Sequence, residues 1–71
     1  MTERELYKSI STKLKEIRKV KGMSQEEFSN YLNVSFFNYQ RIEAPNTMQT
    51  MSIALLLSIS NKLDIDIKEM L

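Results

Sequence analysis

Residues 24–43 read SQEEFSNYLNVSFFNYQRIE and contain two helix starts in quick succession. Ser24 carries a hydroxyl suited to accept a hydrogen bond from a free backbone N–H, and Glu27 stands three residues on to return one, the capping-box spacing. Met23 and Phe28 flank this cap at the separation of a hydrophobic staple. Phe28, Tyr31 and Leu32 then form one apolar face. Asn33 tolerates the left-handed conformation that reverses the chain. Val34 and Ser35 repeat the apolar-then-cap signal, with Tyr39 at staple spacing from Val34 and Ile42 one turn further. Ser35, Tyr39 and Ile42 are expected to share a burying face. The stretch therefore predicts two short helices joined by a tight turn.

The opposite face of the second of these helices carries the chemistry. At about 100° per residue, Phe37, Gln40 and Arg41 point away from Ile42, and Phe36 lies on the flank near the helix start. A short helix supported from behind, with its outer face and first turn presented, is how a helix-turn-helix offers side chains to the major groove. Asn38, Gln40 and Arg41 carry amide or guanidinium groups that can pair with base edges.

The run G-M-S-Q-E-E-F-S-N-Y-L-N-V-S, followed by R-I-E, resembles the helix-turn-helix family of phage lambda repressor and Cro, the XRE type. The resemblance spans residues 10–71 and is carried by Gly22-x-Ser24-Gln25-Glu26-Glu27 together with Val34-Ser35…Ile42-Glu43. It implies an all-α, compact five-helix lambda-repressor-like domain that binds double-stranded DNA through its second and third helices, usually as a homodimer. In such a domain Gln25 would bond a phosphate at the start of the second helix, where the helix dipole favours anions. Ser35 would be cap first and phosphate contact second. Asn38, Gln40 and Arg41 would be the polar readers, with Phe36 and Phe37 against thymine methyls. An arginine at the place of Arg18 pairs in relatives with a glutamate ending the reading helix, here Glu43. That pair is read as structural, tying the first helix to the third.

Composition narrows the function classes. The chain of 71 residues has room for one domain and a modest core. With no cysteine and no histidine there is no thiol chemistry, and the commonest general base and metal ligand are missing. One glycine excludes a glycine-rich phosphate loop. An enzyme is not expected, nor a cofactor, a metal or a small-molecule substrate. No signal peptide or membrane-length apolar run is visible, so a cytoplasmic location is expected. Net charge is only +1, but residues 1–21 carry seven Lys/Arg against three Glu, and the rest three against six acids. The cationic end can supply phosphate contacts or form an ordinary solvated helix face.

Helices are expected at about 3–21, 25–32, 36–43, 51–63 and 67–71. Thr2 and Glu5 cap the first, and Leu6, Ile10, Leu14 and Ile17 recur along it. The turns before Ile10 either lengthen the first helix or assist a dimer contact. Gly22 ends it. Pro45 stops the third helix and pushes Ala44 out of helical conformation. The following loop carries no charge where relatives place glycine and basic residues, leaving Asn46 and Thr47 among its donors to phosphate. The fourth helix, capped by Thr50 or Ser52, is apolar over more than one stripe: one face is expected to fill the domain core, and the rest suggests either a dimer interface at Ile53, Leu56 and Leu57 or a wholly buried central helix. Asp64-Ile65 makes the last break.

Two functions compete. One is a DNA-binding regulator, a repressor holding a two-fold operator as a homodimer. The other is a protein-interaction module on the same fold, like an antitoxin or antirepressor, with Phe36 and Phe37 as the surface for a regulatory protein partner.

Overall fold

The computed structural model describes residues 2–44 and 52–70. The expectations for Pro45, Asn46, Thr47, Thr50, Met51 and Leu71, and for the side chains of Ile67 and Met70, lie outside the described residues. Within them the chain is all-helical: α1 (Glu3–Val20), α2 (Gln25–Leu32), α3 (Phe36–Glu43), α4 (Ile53–Leu63) and a single turn, α5 (Ile67–Met70). No described helix is long and apolar enough to cross a membrane.

Each long helix opens on a hydroxyl cap. The side chains of Thr2, Ser24, Ser35 and Ser52 accept the N–H groups of Glu5, Glu27, Asn38 and Leu55. At Ser24 the box closes, because the Ser24 N–H also donates to Glu27 Oε1 at 2.9 Å. These bonds draw Glu27 below the usual carboxylate range.

Three helices end in the same way. Gly22, Asn33 and Asp64 take φ of 68°, 61° and 55°. The N–H of the next residue then reaches back five positions: Met23 to Arg18 O at 3.1 Å, Val34 to Ser29 O at 2.9 Å, Ile65 to Ser60 O at 2.9 Å. This is the Schellman ending, with an apolar residue following each left-handed one. Helix α3 ends differently. Ala44, placed before Pro45, is extended, as the proline ring requires.

The core takes two residues from each long helix: Ile10 and Leu14, Phe28 and Leu32, Tyr39 and Ile42, Leu56 and Ile59. The Phe28 and Tyr39 rings meet edge to face at 5.4 Å and 82°, the arrangement that ring quadrupoles favour. Two serines are buried on the inner faces, and each satisfies its hydroxyl within its own helix. Ser29 donates to Glu26 O at 2.7 Å and Ser60 to Leu57 O at 2.9 Å. The radius of gyration is 11.1 Å, equal to the roughly 11 Å of a compact chain this long.

Two expectations need correction. Ser35 does not share the buried face of Tyr39 and Ile42; it is exposed, because the cap residue lies outside the first helical turn. Leu56 is not a surface residue of α4. It is 8% exposed and packs with Ile59 in the chain's own core, while Ile53 and Leu57 are 73% and 44% exposed. The α4 stripe is wide, but its centre of burial falls on Leu56.

Candidate nucleic-acid interface

Helix α3 is held from behind by Tyr39, Ile42 and Glu43, all buried. Its other positions are exposed: Phe36, Phe37, Asn38, Gln40 and Arg41. Phe37 keeps 68% of its surface in water and Phe36 40%. Two amides and a guanidinium thus share a surface with two aromatic rings. The Arg41 guanidinium carbon lies 5.7 Å from the centroid of the Phe37 ring, within cation–π range.

The support behind α3 is a polar clamp at its C-terminal end. Arg18 of α1 donates from Nε to Glu43 Oε2 at 2.8 Å and from Nη2 to Glu43 Oε1 at 3.2 Å. Its Nη1 donates to the Met23 carbonyl at 2.9 Å, in the connection between α1 and α2. Gln25 Nε2 of α2 donates to the same Glu43 Oε1 at 3.1 Å. One carboxylate therefore joins three helices. Burial alone would push the Glu43 carboxyl up, but the bonds from Arg18 and Gln25 and the Arg18 charge outweigh it and hold the carboxyl below its ordinary value. The Glu43 bond in turn raises Arg18. Tyr39 buries its hydroxyl beside this pair, outside good hydrogen-bond geometry, and burial first, then its contact with the Glu43 carboxylate, pushes its ionisation far up.

Gln25, expected at a phosphate, spends one of its two amide N–H groups on Glu43. Ser35 caps α3, its Oγ accepting the Asn38 N–H at 3.2 Å. Asn46 and Thr47 lie outside the described residues. The basic residues of α1 other than Arg18 are exposed.

A second cationic feature had no sequence signal. The Nζ atoms of Lys21 and Lys62 sit 5.1 Å and 5.0 Å from the centroid of the Tyr31 ring. The three residues come from separate parts of the chain, so no spacing rule connects them.

No protein-family model matches the chain, and no curated protein matches it. The functional reading is carried by the residues themselves.

Proposed function

We propose that this chain is a sequence-specific DNA-binding regulator of the lambda repressor and Cro type. In this reading the domain has five helices, and α2, the Asn33–Ser35 turn and α3 act as a helix-turn-helix. The observation that carries it is the division of α3: Tyr39 and Ile42 are buried while Asn38, Gln40 and Arg41 are exposed, Gln40 and Arg41 away from the buried side and Asn38 on its flank. Those three side chains have the donors and acceptors that discriminate base edges in the major groove. Phe36 and Phe37 add apolar surface suited to thymine methyls.

A cytoplasmic homodimer would bring two such helices to half-sites about 34 Å apart. Ile53 and Leu57, exposed on α4, are the apolar residues such a dimer would cover. Repression would be steric, the bound dimer blocking polymerase. Gln25 positions α2 against α3 through Glu43 with one amide N–H, and the second N–H of the same amide is the donor a phosphate contact would use.

The exposure of Phe37 also favours a second reading, a protein-binding module on the same fold. Selection of bound duplexes from a random pool separates the two. A two-fold consensus is expected, and changing Phe36 and Phe37 together to alanine should abolish specific binding while the helical circular dichroism is kept. An absence of enrichment, or a double variant that binds DNA as tightly as the parent, refutes the assigned role of this face.

A further inference from the structure

We infer that Phe37 and Arg41 act as one reading unit, whose target is a guanine stacked directly beside a base pair that carries a thymine methyl. The inference rests on the DNA-binding reading above. The two residues are four positions apart and leave the same strip of α3. Their contact, 5.7 Å from guanidinium carbon to ring centroid, forms on the outer surface, since both side chains are exposed.

The contact has two chemical consequences. The ring restricts the long arginine side chain, so less rotamer freedom is lost when the guanidinium pairs with a base. It also sets a distance in the groove. A guanidinium that donates to guanine O6 and N7 lies in the plane of that base. A ring centred 5.7 Å from the guanidinium carbon stands outside the edge of that base, within reach of the pair stacked on it at about 3.4 Å. The major-groove edges of adenine, guanine and cytosine would meet that ring with polar donors and acceptors. The thymine 5-methyl is the apolar group on a groove edge. A phenylalanine carrying an arginine four residues on therefore selects a two-base-pair element, with Asn38 and Gln40 left to read other positions.

The test uses the full chain and the duplex enriched from a random pool. Each half-site should contain a G·C pair directly beside an A·T pair. Replacing that thymine by deoxyuridine removes the methyl alone and leaves the protein untouched. Affinity read by fluorescence anisotropy should fall about fourfold, the value of one buried methyl. Phe37→Ala should erase this sensitivity, so that both duplexes bind equally, with its circular dichroism unchanged from the parent. An enriched site without the element, or a deoxyuridine penalty that persists in Phe37→Ala, overturns the inference and leaves DNA binding standing. No enrichment at all overturns both.

Discussion

Replacing Arg18 by methionine removes the centre of the clamp that joins α1, α2 and α3. Arg18 makes two bonds to Glu43 and one to the Met23 carbonyl, with side-chain exposures of 13% for Arg18 and 3% for Glu43. Methionine restores most of the aliphatic volume but leaves the carboxylate with Gln25 alone. Breaking a buried pair from one side costs about 3–5 kcal/mol, because the remaining charge stays buried. Arg18 is partly exposed and Glu43 can take up a proton, so the lower end, about 3 kcal/mol, is expected. A domain of this size has about 4–10 kcal/mol in all, so the variant should sit near the edge of folding. Glu43→Gln keeps the shape and an acceptor for Arg18, and should cost about 1–2 kcal/mol. The double variant removes both charges and should be at least 1 kcal/mol more stable than the two single losses added together predict. Urea unfolding followed by circular dichroism at pH 7 reads all three through the midpoint and slope. A loss below about 0.5 kcal/mol for Arg18→Met, the range of an exposed ion pair, or simple additivity in the double variant, would refute the clamp.

The same clamp has a pH signature. The folded Glu43 carboxyl is held below its ordinary value, so in acid the unfolded chain takes up this proton first. Its contribution is complete above the unfolded value, about pH 4.3, and is lost as pH falls through the lower folded one. Glu43→Gln should flatten this acid limb, and an unchanged limb would assign the acid response to other groups.

Two substitutions in the frame complete the set. Leu57→Glu should keep the monomer folded and shift a dimer to monomer in sedimentation, whereas Leu56→Glu places a charge at a core position and should abolish the thermal transition; a folded Leu56→Glu monomer would contradict the core assignment. Gly22→Ala has no atom within 4 Å of the added Cβ, so its cost should be backbone strain alone, about 1 kcal/mol, and a loss above about 2 kcal/mol in urea would point to an unseen contact.

Local chemistry explains which parts of this architecture were legible in the sequence. The caps at Thr2, Ser24 and Ser35 and the reversals at Gly22 and Asn33 depend on residues within a few positions, so a short window contains all their causes. Leu56 was misjudged because a helix apolar on more than one side does not declare which side meets the core; that depends on where α2 packs. The Arg18–Glu43 pair came through family resemblance, since twenty-five positions separate the partners. Gln25 was missed as the third member because its position at the helix start suits a phosphate contact and a Glu43 contact equally. Lys21, Tyr31 and Lys62 meet only in three dimensions.

The clamp and the outer face of α3 together bear on how DNA would be held under the proposed reading. Arg18 and Glu43 neutralise each other beneath the helix, so neither adds to the field at its surface. Arg41 is the one cation within α3, and its guanidinium lies against the Phe37 ring. Non-specific affinity grows with the number of phosphates neutralised, whereas discrimination grows with base-edge contacts. A face with one guanidinium, two amides and two aromatic rings is weighted toward the second term. Such a face gains from being held rigid, because a displaced amide or ring loses its base while a displaced lysine still finds a phosphate. The buried carboxylate that ties α3 to two other helices serves that requirement: it adds orientation where a purely apolar contact would add mainly stability.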